Sequence, residues 1–253
     1  MKLEGCKALV TGANRGLGRA YAEALVAAGA AQVFAGARNP ADVTYSTVTP
    51  IRLDVTSDAD VASAIERCAG VSLLINNAGV MLAKPVLGQG AAEALRREME
   101  VNVFGLHRMM TAFAPRIAAA GGGAIVNVLS VVSLFTAPFN ATYCSSKHAA
   151  MALTDGARIQ LRRQGVHVVG VYAGFIDTDM ARSVDRPKAS PHAVAERTLD
   201  GVRRSQDHVF GDAVSEAVWQ RLRKDSDELM VGQQQAWDAG ATPWGPAAGA
   251  SKR

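Results

Sequence analysis

Short apolar runs rich in β-branched residues recur along the chain, separated by stretches in which apolar positions return every three or four residues. The runs lie at 8–11, 32–37, 51–54, 73–76, 123–129, 166–172 and 208–210. Most are continuously apolar rather than alternating, the pattern of strands covered on both faces, and helical periodicity fills the gaps. Such alternation through right-handed crossovers predicts an α/β fold. It is a single Rossmann-type, doubly wound parallel sheet of about seven strands with helices on both faces. Ligands of such sheets bind beyond the carboxyl ends of the strands, so residues closing a strand or opening the next helix are the first candidates for chemistry. The pattern predicts one domain over 1–239 and an amphipathic helix over 212–237 with a charged middle at 221–228. Residues 240–253, rich in Gly, Ala and Pro, are expected to lack regular structure.

Composition narrows the class without changing it. With 253 residues, 49% of them hydrophobic and 20% charged, the chain supplies a sizeable core and a solvated surface. The net charge of +4 comes from scattered Lys and Arg rather than a basic stripe, which argues against a nucleic-acid partner. Cys6, Cys68 and Cys144 have no metal-binding spacing, so no metal site is expected, and reduced thiols in a cytoplasmic protein are the default. No signal peptide is expected, because the first apolar run enters a glycine turn, and no apolar run is long enough to predict a membrane span.

That glycine turn is the first motif with chemistry. Lys7-Ala8-Leu9-Val10 leads into Thr11-Gly12-Ala13-Asn14-Arg15-Gly16-Leu17-Gly18 and then an Ala/Leu-rich helical pattern. Glycines there allow a tight turn and close approach to a pyrophosphate, while the helix N-terminus favours the anion. The spacing G-x-x-x-G-x-G differs from the common G-x-G-x-x-G dinucleotide fingerprint.

The second motif is Tyr143 and Lys147, four residues apart and downstream of Ser130. On a helix such positions share a face about 6 Å apart along the axis. A cation at that range, with an effective dielectric near 20, favours phenolate by ~2.8 kcal/mol, or about two pKa units. Tyr143 could then exchange a proton with a carbonyl or carbinol oxygen, with Ser130 as that oxygen's second partner. A lone pair of this kind is more often a surface contact.

Together these segments make the sequence resemble the short-chain dehydrogenase/reductases of the classical type. Their T-G-x-x-x-G-x-G loop and Y-x-x-x-K pair match residues 11–18 and Tyr143 with Lys147. Their N-N-A-G segment matches Asn76-Asn77-Ala78-Gly79, and their helix asparagine matches Asn102. The resemblance implies a catalytic set of Asn102, Ser130, Tyr143 and Lys147. Asn102 would hold a water in a proton relay from Lys147, the alternative being an amide that satisfies local backbone. It further implies cofactor contacts at Gly12, Asn14, Arg15, Gly16, Leu17, Gly18, Asp54, Val55, Asn76, Ala78 and Gly79. Asp54 and Asn76 would face the adenine side, with helix capping as the other reading of Asp54. Lys147 would reach the nicotinamide ribose. Gly174, Ile176 and Thr178 match the family's P-G-x-x-x-T segment, which holds the carboxamide, although Ala173 stands where that proline is usual.

Charge selects the cofactor. An NAD site wants a carboxylate at the end of the second strand, whereas a 2'-phosphate wants cations. That strand ends Gly36-Ala37-Arg38 with no acid, and Arg15 sits in the glycine loop, so NADP(H) is expected. The substrate pocket is expected at Ser130, Val131, Val132, Phe135, Phe139, Tyr143, Phe175 and Met180, with a lid at about 179–195. Its apolar character suggests an apolar carbonyl compound, while Arg182, Arg186 and Lys188 could meet an anionic tail. The expected activity is hydride transfer between NADP(H) and a ketone, an aldehyde or the corresponding alcohol, in a homodimer or homotetramer by family analogy. The rivals are a nonenzymatic dinucleotide sensor or scaffold, an NAD-dependent alcohol dehydrogenase, and a sugar epimerase or dehydratase. The intact proton-donor set argues against the first, and the glycine spacing and chain length against the last.

Overall fold

The computed structural model describes residues 1–222, 235, 241–242 and 245–246. Seven parallel strands form one sheet: β1 (Lys7–Thr11), β2 (Gln32–Ala37), β3 (Thr49–Arg52), β4 (Leu73–Asn76), β5 (Gly123–Val128), β6 (Val166–Tyr172) and β7 (His208–Phe210). Their order is β3-β2-β1-β4-β5-β6-β7, so the winding reverses between β1 and β4 and opens a crevice at their carboxyl ends. The third strand is shifted from the expected 51–54: Pro50 sits in register with Ala35 in the edge strand, Leu53 N–H makes the last bond to Ala37 O, and Asp54 N–H turns to Asp60.

Alternation along the strands makes two cores. Ala8 and Val10 face one layer with α1 (Gly16–Ala27) and, from later in the chain, α6 (Pro191–Arg203). Leu9 faces the other, with α2 (Asp58–Arg67), α4 (Leu106–Ala119) and α5 (Ala141–Leu161). Fully buried side chains on both sides, Tyr21 and Leu25 against Phe113 and Ile117, each contribute roughly 1.5–3 kcal/mol of apolar burial. Helix α3 (Ala91–Met99) runs into α4 through a π-helical turn, Glu100–Gly105, which contains Asn102.

Two expectations concern the C-terminal region. The helix expected over 212–237 begins as α7 (Ala213–Leu222), and most of its expected remainder, including 223–228 of the charged middle, lies outside the described residues. In the tail, β8 (Ala241–Thr242) pairs antiparallel with β9 (Gly245–Pro246), a two-residue pairing that the Gly/Pro content had pointed away from. No helix among the described residues is long and apolar enough to cross a membrane.

Candidate active site

The crevice at the β1/β4 reversal widens into a cavity of about 1130 Å³. At one end the glycine loop turns from β1 into α1. Gly12 and Gly16 have φ of 64° and 55°, where a side chain would be strained. A Cβ on Gly18 would stand 2.2 Å from the Gly12 carbonyl oxygen, so only glycine lets the helix enter this close to the strand. Helix α1 starts with no side-chain cap and no acid in its first turn, leaving N–H groups and positive dipole for an anion. Thr11 Oγ1 accepts the N–H groups of Asn77 and Ala78 at 3.0 and 2.9 Å, tying the ends of β1 and β4 together beneath the loop.

At the other end Ser130, Tyr143 and Lys147 line the same cavity. The Ser130 hydroxyl donates to the Ala173 carbonyl at 3.3 Å and accepts the Val132 N–H at 3.4 Å, beside Tyr143 in the cavity wall. Ser133 is fully buried, and its hydroxyl accepts the Ser130 N–H at 3.2 Å, so it shapes the turn without lining the cavity. Lys147 lies on the α5 face expected from its spacing, with Nζ 5.7 Å from the Tyr143 ring and donating to the Val128 carbonyl at 2.9 Å.

The electrostatics correct the expected lowering of the tyrosine pKa. Burial pushes the Tyr143 phenol well above its usual value; the Ser130 hydroxyl opposes this, while Cys144 and Glu98 add to it. Burial also pulls Lys147 down to about 8. The pairwise Coulomb argument counted attraction at the helix spacing and left out the cost of taking both groups from water, which wins here. Tyr143 is therefore a protonated phenol at neutral pH, suited to donate, and Lys147 retains most of its charge.

Asn102 sits in the π turn, 2% exposed, with every side-chain polar atom engaged. Its Oδ1 accepts the Val80 N–H at 2.8 Å, while Nδ2 donates to the Val80 carbonyl at 2.9 Å and to Ser146 Oγ at 3.0 Å. Gly79 fits between this amide and Lys147: a Cβ there would lie 3.1 Å from Asn102 Oδ1 and 3.9 Å from Lys147 Nζ.

Most of the other expected cofactor positions border the cavity: Asn14, Arg15, Leu17, Arg38, Asp54, Val55, Ala78, Gly174, Ile176 and Thr178. Asn76 does not. Its side chain points into the core, donating to Asn127 Oδ1 at 2.9 Å, because strand alternation turns it away from the crevice. Asn77 takes the wall position instead and donates to the Thr11 carbonyl at 2.9 Å. Asp54 does not cap α2, whose N-cap is Ser57. Its Oδ1 accepts both Thr56 N–H and hydroxyl, at 2.9 and 2.7 Å. Burial raises the Asp54 pKa, but these bonds and the Arg38 and Arg97 guanidiniums outweigh it and hold the carboxyl below its ordinary value. Arg38 stands beyond β2 at the cavity edge, whereas Arg15 pairs with Asp179 at 2.9 Å.

Of the expected substrate-pocket residues, Val131, Val132, Phe135, Phe175 and Met180 line the cavity. Phe139 does not; in the tight turn Pro138–Asn140 the next residue, Asn140, faces the cavity. The expected lid also ends earlier than 195, since α6 begins at Pro191 and buries Val194 and Ala195 completely. The base of this segment is pinned, with Ala189 N–H donating to Phe175 O at 2.8 Å and Asp177 N–H to Ala189 O at 2.9 Å.

Among the wall residues that sequence reading missed are Asp212, Arg97 and Leu82. Asp212 accepts the Gly174 N–H at 2.6 Å and caps α7 through the Ser215 N–H at 2.8 Å, fixing the loop where the usual proline is absent. Its place just after the β7 run was a legible signal. Arg97 and Leu82 reach the cavity from α3 and the β4–α3 loop, and no motif marks either.

A family model described as short chain dehydrogenase matches residues 7–189. A sorbitol dehydrogenase from Cereibacter sphaeroides is 34% identical over 195 residues, covering 73% of this chain and 76% of its own. A galactitol 2-dehydrogenase from Agrobacterium fabrum is 30% identical over 250 residues, covering 91% and 95%. In three dimensions the chain superposes with a TM-score of 0.89 on a short chain dehydrogenase from Burkholderia cenocepacia crystallised with NADP. That protein is 40% identical, with 92% of this chain and 99% of the other covered. The chain therefore belongs to the classical short-chain dehydrogenase/reductase family of oxidoreductases, which work with a nicotinamide dinucleotide.

Proposed function

We propose that the protein is an NADP(H)-dependent reductase of ketones or aldehydes. The observation that carries this reading is the meeting of Ser130, Tyr143 and Lys147 in the cavity that the uncapped α1 terminus also opens onto. The site fits a dinucleotide: a glycine cradle that a Cβ would fill, free helix N–H groups, and a cation instead of an acid beyond β2. Gly12 to Gly18 would hold the pyrophosphate, Arg38 the 2'-phosphate, Lys147 the nicotinamide ribose, and Thr178 with the Ile176 backbone the carboxamide. When bound, the dinucleotide supplies or accepts the hydride.

The chain's own residues handle the oxygen and its proton. Ser130 turns its single hydroxyl proton from Ala173 O to the substrate oxygen and steadies its developing charge. Tyr143 then gives that oxygen its proton, and its raised pKa suits the reducing direction. Lys147 faces the ring of Tyr143 and offsets the negative charge left there. The side-chain amide of Asn102 is taken up by Val80 and Ser146, which favours its role as a partner of local backbone over that of a water holder. The amide keeps Val80 and the Gly79 approach to Lys147 in place.

Val131, Val132, Phe135, Phe175 and Met180 surround the substrate end and favour apolar substituents on the carbonyl. The sorbitol and galactitol relatives carry polyol names, so the test panel spans both kinds. NADPH oxidation is followed with apolar ketones, aldehydes, quinones, acyl thioesters and polyhydroxy ketones. Turnover of apolar ketones or aldehydes above the rest is expected. A preference for NADH, or no turnover with any carbonyl compound, would refute the reading.

A further inference from the structure

Glu98 on α3 has no solvent-exposed surface, although a glutamate is almost never buried without partners. Its Oε1 accepts the main-chain N–H groups of Leu82 and Ala83 at 2.6 and 3.2 Å. Ala83 has φ of 54°, a left-handed conformation that a non-glycine residue adopts only when held there. The second oxygen, Oε2, is buried and has no hydrogen-bond partner among the described residues. Burying a carboxylate with one oxygen unpaired is costly, and the two N–H bonds from Leu82 and Ala83 are what offset it.

The loop that Glu98 holds leads directly to the catalytic helix. Lys84 N–H donates to Thr142 Oγ1 at 3.2 Å, and Thr142 N–H donates back to Lys84 O at 3.1 Å. Thr142 immediately precedes Tyr143, and Met81 and Leu82 line the cavity on the other side of the turn. Electrostatically, Tyr143 and Cys144 on α5 both feel the Glu98 carboxylate. Other charged side chains on the surrounding elements include Lys84 on the loop, Lys147 on α5, Arg97 on α3 and Glu100 in the π turn, while Glu93 pairs with Arg96 on α3 and Asp155 with Arg158 on α5. Arg97 acts on Asp54, Glu100 pairs with Arg108, and Lys147 donates to Val128.

We propose that Glu98 is a positioning residue that fixes the cavity wall at 81–83 against the first turn of α5. The inference rests on Tyr143 being the proton donor. Its test is kcat and the KM of the carbonyl substrate in NADPH-dependent reduction by wild type, Glu98→Gln and Glu98→Met, with the NADPH Kd measured on each and Tyr143→Phe alongside. Glutamine keeps the shape and an acceptor for the two N–H groups, so kcat and KM stay within about twofold of wild type. Methionine removes the acceptor and frees the 81–83 wall, so KM rises by roughly fivefold or more while the NADPH Kd stays within about twofold. A wild-type KM in Glu98→Met, or a KM in Glu98→Gln raised as far as in Glu98→Met, with Tyr143→Phe inactive, overturns the inference alone. Retained turnover in Tyr143→Phe overturns both the inference and the reading of the site.

Discussion

A protonated Tyr143 next to a Lys147 with a lowered pKa is what burial does to two groups that would attract each other at a surface. The lysine is the destabilising member. Its pKa of about 8 lies below the ordinary 10.5, so at pH 7 it is charged in folded and unfolded chains alike. Below pH 8 the folded state bears the full burial penalty. Between pH 8 and 10.5 the folded state releases the proton first, so stability rises with pH across that window. Lys147→Met is therefore expected to stop turnover while raising Tm by a few degrees at pH 7, from roughly 2 kcal/mol net of the lost Val128 hydrogen bond. The gain should shrink as the pH approaches 10. Calorimetry across that range checks it, and a Tm that falls at pH 7 would contradict it. The spacing of Tyr143 and Lys147 made the pair legible in sequence, since helix geometry is local. Their pKa values were not, because desolvation depends on what the rest of the chain places around them.

At the scale of elements, the apolar runs marked the strands well because a parallel sheet buries both faces and leaves continuous runs behind. The boundaries slipped where an edge strand tolerates Pro50 and where strand alternation, not motif order, decides which of Asn76 and Asn77 faces the crevice. Asp212 shows the other limit. It joins the loop after β6 to the start of α7 across 38 residues of sequence, and no local pattern records such a link. Asp212→Ala should cost about 1–3 kcal/mol, since it removes a helix cap and leaves the Gly174 N–H without its acceptor. Thermal unfolding should show the loss, and NADPH KM should rise with it because Gly174 borders the cofactor crevice. An unchanged Tm would mean that the cap is redundant.

For the whole molecule, the sheet reversal and the glycine cradle form the dinucleotide crevice, and on the proposed reading Arg38 selects among dinucleotides. Arg38 stands at the cavity edge beyond β2, where that reading puts a 2'-phosphate, while Arg15 is bonded to Asp179. Arg38→Ala is expected to weaken NADPH binding by tenfold or more, roughly, with NADH little changed. Arg15→Ala should have a smaller effect on the ratio, because an exposed ion pair with Asp179 already competes for that guanidinium. Equal loss of both cofactors in Arg38→Ala would contradict the assignment. The fold and the order of its motifs were legible because each motif is a short local segment. The lid boundary, the Glu98 buttress and the route from Asn102 to Val80 depend on segments meeting from different layers.

All of these effects serve one claim, that Tyr143 gives its proton to the substrate oxygen. The most direct test is steady-state NADPH oxidation by Tyr143→Phe with a carbonyl substrate turned over by wild type, paired with NADPH binding measured by fluorescence. Turnover is expected to fall by roughly a thousandfold or more, with the NADPH Kd within about threefold of wild type. Turnover within tenfold of wild type in a variant that still binds NADPH would contradict the account.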